Sequence, residues 1–517
     1  MSSIEKVPVY STWNNNTHPQ WWRDKGLRKM VLCLTSIYAA CFTFGYDGSL
    51  LASLLIMPQW KAYFNNPVGN TLGLIAASFY FPKIVAPIPA AWCSDRYGRR
   101  PTMFIGSCIC IAGALVVSLS NSQNMFIGGR AILGFGSGFK QTVAPYYLQE
   151  LAHPRIRAAC GSLYYLSYFL GTICAGWFGF AVLGWQSEWS WRTLTLLQAL
   201  GSIWTVLLVL LGVMSESPRW LLNVGRKDEA HRVMAKYHAN GDLDDELVVN
   251  ELAEMEEVQR TAVEANAISL REFIRTPGNR RRTAVVVVSA SGTQLSGSVL
   301  ISAYLGPILT SVGITSPSQQ VALLSGLNML GLVVVVLVAS FGLERIGRRP
   351  IWLVGLTGQA VFFLVFIGLS AGYDATKNPM MGVATIPMIY LYFGCYCATW
   401  SALSAMYCTE ILPTTLRSKG IGIYIFVLSI AVTYNQYVNP IALQAIAWRY
   451  YFLFFALQLF FLVFAYFFYL ETKGMTMEEV GNLFDGKDQV EAIQARIYER
   501  PARKMDGTEV EHVEVKQ

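Results

Sequence analysis

Long apolar runs separated by short polar breaks occupy almost the whole chain. A helix needs about 20 apolar residues to cross the hydrocarbon core of a bilayer. Twelve stretches meet that need: 29–56, 70–92, 102–120, 124–146, 158–183, 193–214, 283–311, 318–342, 351–371, 385–408, 420–440 and 449–470. Gly and Pro interrupt several of them, which spanning helices tolerate where neighbours satisfy the freed backbone groups. The pattern predicts an all-α integral membrane protein with twelve transmembrane helices. One connection breaks the rhythm. Residues 215–282 are polar and helix-prone, with GRKDEAHRVMAKYHA followed by DDELVVNELAEMEEVQR. Short amphipathic helices are expected there. This loop divides the chain into an N-terminal segment (1–28), a six-helix bundle (29–214), the middle loop (215–282), a second six-helix bundle (283–470) and a charged tail (471–517), the last expected to be disordered toward its end.

Composition agrees: 53% of the 517 residues are hydrophobic and 14% are charged, against about a quarter charged in soluble domains. The net charge of +7 is scattered in short clusters between apolar runs. A nucleic-acid binder gathers its basic residues on one face, so the lipid bilayer is the expected surroundings and nucleic acid is not an expected partner. The ten cysteines lie mostly inside apolar runs without CxxC spacing and read as small buried hydrophobes. No metal or cofactor is expected. GFGSG (134–138) sits within an apolar span with no strand before it, so it reads as close helix packing and not as a nucleotide loop. No nucleophile motif is present, and the chain is not expected to be an enzyme. The polar first 27 residues lack the form of a cleavable signal, so the first apolar segment is expected to direct insertion. Lys and Arg set the orientation. Arg96, Arg99 and Arg100, then Arg155 and Arg157, then Arg345, Arg348 and Arg349, then Arg417 and Lys419 all fall in even-numbered connections. The opposite loops hold little more than Lys61 and Lys377. Even connections and both termini are therefore expected in the cytoplasm, which leaves the sequon at Asn15 on the wrong side for glycosylation.

The halves repeat each other. DRYGRRP (Asp95–Pro101) follows the second span, and ERIGRRP (Glu344–Pro350) follows the eighth. Glu150 and Arg157 flank the fourth connection, and Glu410 and Arg417 flank the tenth at the same separation. In each turn a glycine permits the bend and the proline can open the next helix. Charges at this rim are expected to hold the halves together when the path opens outward, and to separate when it opens inward.

With GRAILGFGSG (Gly129–Gly138), SESPRWL (Ser215–Leu221) and ETKG (Glu471–Gly474) added to these repeats, the chain resembles the sugar porter family of the major facilitator superfamily over residues 28–475. QLSG (294–297), SVGI (311–314), Trp400 and NQYVNPIAL (435–443) resemble its fungal lactose-permease-like and hexose-transporter branch. The resemblance implies two homologous six-helix bundles around a central path, and alternating access. It implies a gate built from Asp95, Arg99, Arg100, Glu150, Arg157, Glu216 and Arg219 in one half, matched by Glu344, Arg348, Arg349, Glu410, Arg417 and Glu471 in the other.

Ionisable residues within spans are costly and usually functional; here they are Asp47, Lys83, Arg130 and Lys140. The resemblance makes Asp47 a protonation site with Arg130 as its partner. A carboxylate next to a cation releases its proton, and one separated from it in an apolar place takes a proton up. Lys83 and Lys140 are not family hallmarks. They snorkel, face their own bundle, or attend an acidic substrate. The resemblance also draws substrate contacts from spans 5, 7, 10 and 11, with Gln141 and Thr142 on span 4. The candidates are Gln141, Thr142, Tyr165, Gln294, Ser298, Tyr304, Trp400, Asn435 and Gln436. Against that resemblance several usual residues are replaced: Thr293, Thr142 and Tyr165 stand where glutamines are common, Ala303 where a tyrosine is, and Ala405 where a tryptophan is, so the scaffold is kept and the pocket altered. The expected function is secondary active transport of a sugar by alternating access with proton symport. The alternatives are a carrier of a sugar acid or other polyol-like metabolite, and a proton-independent facilitator. The protein is expected to act as a monomer in the plasma membrane.

Overall fold

The computed structural model describes residues 13–265, 271–342, 345–475 and 477–485. Among these residues the secondary structure is helical, without strands. Span 1 is the helix Lys25–Leu54, whose start is capped by Asp24. Span 2 runs through Gly69–Ala77, Tyr80–Val85 and Pro87–Tyr97, and bends by 43° where Pro87 removes a backbone donor. Spans 3, 4 and 5 are Arg99–Ser118, Gln123–Leu151 and Arg157–Val182. Span 6 is the pair Trp189–Leu197 and Leu200–Leu210, bent by 41°.

In the second half, span 7 is Pro277–Leu295, Ser298–Ala303 and Leu305–Ser311. It breaks at Gly297, whose φ of +101° is left-handed and suits glycine. Span 8 is Pro317–Leu337 with a π-turn Val338–Gly342, and span 9 is Arg348–Thr376. Span 10 is Pro379–Tyr396 and Ala402–Ile411 around a π-turn Cys397–Ser401. Span 11 is Thr414–Ile446 and span 12 is Tyr451–Phe468. The middle loop contains Pro218–Asn223, Lys227–His238, Glu246–Ala265 and Glu272–Arg275. A helix Met477–Asp485 follows span 12; the disorder expected of the tail lies outside the described residues. The chain is a multi-pass membrane protein of twelve helical spans. Interruption of some spans by Gly and Pro is as expected; the places of the breaks, at Ser296–Gly297 and in spans 2 and 6, come from the structure, because hydropathy sees length and not backbone direction.

Small residues set how closely the spans approach. A Cβ on Gly45 would lie 1.9 Å from the Tyr168 carbonyl oxygen, and one on Gly171 would lie 2.1 Å from that of Phe42. Spans 1 and 5 therefore touch backbone to backbone. Gly134, Gly136 and Gly138 do the same where span 4 meets spans 2 and 3, which is the packing role expected of GFGSG.

The first segment is tied to the middle loop. Asn15 donates to the His238 carbonyl (2.8 Å), Asn16 to the Ala239 carbonyl (2.9 Å) and Asn240 to the Asp24 carboxylate (2.9 Å). These bonds put residues 14–24 and 238–246 at the same rim as the charged turns.

The two halves are sealed at the opposite rim. Tyr437 on span 11 donates to Asn70 on span 2 (2.7 Å). A Cβ on Gly73 would lie 2.5 Å from the Tyr437 carbonyl oxygen, and one on Gly306 would lie 2.7 Å from Ile56. Midway down, Asn328 on span 8 donates to Ser49 (3.0 Å) and to the Thr172 carbonyl (3.1 Å) in the first half. Toward the charged rim Tyr165 on span 5 is 63% exposed, and Val333, Leu337 and Phe341 on span 8 are exposed. Gly73→Leu is expected to prop this seam open. Cross-linking of an Asn70→Cys/Tyr437→Cys pair by a short reagent checks this: the yield should fall several-fold when Gly73→Leu is added, and an unchanged yield would mean the seam does not depend on that close approach.

Candidate functional site

A cavity of about 130 Å³ lies where the halves meet. Gly48 and Ser49 of span 1 and Tyr168, Phe169 and Thr172 of span 5 form one wall. Gln294, Ser298, Val299 and Ser302 of span 7, Asn328 of span 8, and Phe393, Tyr396, Cys397 and Ser401 of span 10 form the other. The broken helices make this possible. Gly297 turns span 7 so that both Gln294 and Ser298 face inward, and the π-turn in span 10 brings Cys397 and Ser401 to the same surface. Hydroxyls and amides alternate with aromatic faces, the mixture that a polyhydroxylated ring needs. None of the lining residues carries a charge.

The sequence candidates separate into three groups. Gln294 and Ser298 are on the wall. Asn435 is fully buried behind it and donates to the Gln294 carbonyl (2.6 Å). Tyr304 donates to Gln436 (3.0 Å to its carbonyl, 3.2 Å to its side chain), so this pair ties span 7 to span 11. Trp400 points away from the cavity. It packs on Trp352 and Phe461 at centroid distances of 4.8 and 5.3 Å and donates to Gln359 (3.2 Å); its neighbour Ser401 takes the wall position. Gln141, Thr142 and Tyr165 do not line the cavity, and the Thr142 hydroxyl is used on the Gly138 carbonyl (2.8 Å). Sequence reading did not assign Ser49, Thr172, Ser302, Phe393 or Tyr396 to the site. They are common residues in apolar helices; Ser49 and Thr172 come from the unbroken spans 1 and 5, and the meeting of the halves sets them opposite the broken spans 7 and 10.

Asp47 lies one residue before that wall. It is 2% exposed, and neither carboxylate oxygen has a hydrogen-bond partner. Arg130 is also buried, but its Nε donates to the Ile75 carbonyl (2.9 Å), and its guanidinium lies 5.5 Å from the Phe79 ring. Among the described ion pairs none joins Arg130 to Asp47. The Lys140 ammonium is fully buried and donates to Ser202 (2.7 Å). Lys83 Nζ sits 3.3 Å above the Phe44 ring. The nearest charges acting on Asp47 are Arg130, then Lys140, then Lys83.

The charged rim contains two copies of one knot. In the first half, Arg99 grips Glu150 through two bonds (3.1 and 3.2 Å). Glu216 accepts from the backbone N–H groups of Arg99 (2.7 Å) and Arg100 (3.2 Å), Ser217 donates to Glu150, and Arg100 donates to the Val209 carbonyl (2.9 Å). In the second half, Arg348 donates to Glu410 (2.9 Å). Glu471 accepts from the N–H groups of Arg348 (2.9 Å) and Arg349 (3.0 Å), Thr472 donates to Glu410 (2.6 Å), and Arg349 donates to the Tyr466 carbonyl (3.0 Å). Gly98 and Gly347 share the same backbone, with φ of +105° and +99°. SESP and ETKG thus do equivalent work at the ends of spans 6 and 12. The two acceptor carboxyls differ in balance. Burial at Glu216 outweighs its backbone donors and pushes it up. At Glu471 burial acts the same way, but four backbone donors outweigh it and hold it down.

In this structure the knots described here close within a half, because each turn finds its acceptors on its own spans. Glu150 pairs with Arg99, and Arg157 reaches Glu251 of the middle loop instead (3.1 Å). Arg157 also donates to the Ala152 carbonyl (3.1 Å), as Arg417 does to that of Leu412 (3.5 Å). Asp95 forms an ion pair with Arg99 at 3.7 Å, and its side chain is 80% exposed. Arg219 is exposed, and Glu344 lies outside the described residues. Arg99→Ala is expected to destabilise the first half by about 3–5 kcal/mol, because it strands Glu150 unpaired and buried. Asp95→Ala is expected to cost about 1 kcal/mol or less. Thermal unfolding in detergent distinguishes the two; equal small shifts would mean the knot is not a structural element.

Comparisons place these features in a family. A family model described as "Sugar (and other) transporter" matches residues 32–484. "MFS-type transporter criB" of Aspergillus cristatus is 27% identical over 460 residues, covering 89% of this chain and 94% of that protein. The "High-affinity glucose transporter" of Kluyveromyces lactis is 27% identical over 474 residues, covering 86% and 84%. Among solved structures, the inward-open conformation of the xylose transporter XylE from E. coli superposes with a TM-score of 0.72 at 18% identity, over 88% of this chain and all of that one. XylE bound to 6-bromo-6-deoxy-D-glucose gives 0.67 at 19% identity, over 88% and 99%. Those two likenesses establish the fold, and the family model over most of the chain establishes membership: the chain belongs to the sugar (and other) transporter family and is a transporter, not an enzyme.

Proposed function

We propose that this protein is a proton-coupled carrier of a sugar-like, polyhydroxylated metabolite, working by alternating access. The observation that carries the reading is Asp47. A buried carboxyl without a hydrogen-bond partner is stable only when neutral or paired with a cation. Here the cation Arg130 is engaged elsewhere, so the state described is the one in which Asp47 holds a proton. When the halves rock and Arg130 turns to Asp47, the proton leaves. Because Asp47 adjoins Gly48 and Ser49, movement of the wall and movement of the charge are mechanically linked.

Gln294, Ser298, Ser49, Thr172 and Asn328 supply hydrogen bonds to substrate hydroxyls, and Tyr168, Phe169 and Phe393 supply ring faces. Tyr304, Gln436 and Asn435 brace span 7 against span 11 and act on substrate through Gln294. The charged rim faces the cytoplasm, together with both termini and the middle loop; the basic residues gathered there support that orientation. The path is then open inward, sealed outward by Asn70, Gly73 and Tyr437. The two knots stiffen each half at the charged rim, away from Asp47 and Arg130, so that the halves rock as bodies while Arg130 shifts locally within the first half. The path lies between the halves of one chain, which suits a monomer, and the plasma membrane is the proposed location. The names of relatives favour a sugar: a glucose transporter among the sequences, and a protein titled a proton:xylose symporter among the structures.

Uptake by proteoliposomes tests the reading. An inward acid gradient should drive accumulation of the transported compound several-fold above equilibrium. Asp47→Asn should abolish accumulation while leaving exchange across the membrane intact. Accumulation that ignores both the gradient and the substitution would make the protein a facilitator with a structural Asp47.

A further inference from the structure

The proposal above leaves two lysines unused. Within the apolar stretches of the first half (29–56, 70–92, 102–120, 124–146, 158–183 and 193–214), away from the charged rim that holds Asp95 and Glu150, Asp47 is the one carboxylate. Three cations share it: Arg130, Lys140 and Lys83. None of them is engaged with a carboxylate in the contacts described. Arg130 is bonded to a carbonyl, Lys140 to a hydroxyl, and Lys83 lies on a ring. Charge buried at membrane depth is costly and calls for a partner. The shortage deepens during turnover, because protonation of Asp47 removes the single negative charge and leaves three positive ones.

The cations are close to the path without lining it. Lys83 sits 3.3 Å above Phe44, the Phe44 ring packs 5.4 Å from that of Tyr168, and Tyr168 is on the cavity wall. Two rings, Phe44 and Tyr168, therefore stand between Lys83 and the cavity. Asp47 adjoins the same wall through Gly48 and Ser49. A low-dielectric interior carries a charge's influence across such rings with little screening. The wall itself offers hydroxyls and amides but no anion.

Resting on the proton-coupled reading, we propose that the substrate is a monoanionic polyol, a sugar acid, whose carboxylate supplies the negative charge that the loaded site lacks. Hydrogen bonds from the wall select the hydroxyls, and the field of Lys83 and its neighbours selects the charge. Charge balance gives a distinctive consequence. One proton moving with one monoanion transfers no net charge, whereas one proton moving with a neutral sugar transfers +1. Transport of a sugar acid would thus be driven by the pH gradient and indifferent to membrane potential.

The test uses proteoliposomes of the full chain and a panel of labelled aldonates and hexuronates beside their neutral aldoses. A potassium gradient with valinomycin sets the membrane potential at fixed pH gradient. The inference predicts that at least one acid is taken up better than its neutral counterpart, at a rate independent of potential. Lys83→Gln should raise the KM for that acid about tenfold, the order expected of one charge acting through a protein interior, and Lys83→Arg should restore it. Two results overturn the inference: no acid taken up better than its neutral aldose, or an acid whose KM ignores Lys83→Gln. Loss of pH-gradient drive for whichever compound is carried would instead strike the proton-coupled reading, so the two failures are distinguishable.

Discussion

Everything in this transporter turns on a carboxyl group placed where a charge is hard to keep. Asp47 is buried in span 1, without a hydrogen bond, beside a cavity wall formed by its own neighbours. A carboxylate there must find a cation or take a proton. The glycines at 45 and 171 press spans 1 and 5 together around it, and Arg130 approaches from span 4, engaged for now with the Ile75 carbonyl. A site with two alternatives, proton or guanidinium, is the local switch that a rocking fold can use.

The rest of the architecture makes that switch a property of the whole molecule. Each half is stiffened at one end by a knot in which an arginine grips a glutamate and a second glutamate caps the following helix through backbone N–H groups. The duplication extends to the hydroxyl that braces each glutamate, Ser217 in one half and Thr472 in the other. Such knots are not a latch between the halves in the state described. What they do in this structure is tie the turn after the second span of each half to that half's fourth and sixth spans. The contacts that do join the halves are of another kind: glycine pinches, Tyr437 on Asn70, and Asn328 reaching across to Ser49 and Thr172. Those weak, short-range contacts can be broken and remade at modest cost.

The fold and the family were legible in the sequence because they rest on long-range regularities. Twelve apolar runs and two copies of a charged turn survive the loss of all detail. Within the site, Gln294 and Ser298 could be placed on the wall from their motif. Trp400 could not be placed, because the π-turn at Cys397–Ser401 rotates it into the Trp352 and Phe461 cluster and brings Ser401 to the cavity. Ser49, Thr172 and Ser302 carry no signal of their own; Ser302 follows the break at Gly297, while Ser49 and Thr172 sit on unbroken helices and join the site only through the packing of the two halves. The partner of Arg157 was invisible for a similar reason. Glu251 lies 94 positions away on a helix of the middle loop, and no spacing rule connects them.

The most direct test of the central claim records the proton itself. Proteoliposomes loaded with a pH-sensitive dye would be given the transported compound on the outside, without any imposed gradient. The account predicts that the lumen acidifies as substrate enters, and that Asp47→Asn admits substrate with no acidification. Substrate entry into wild-type vesicles at constant lumenal pH would contradict it.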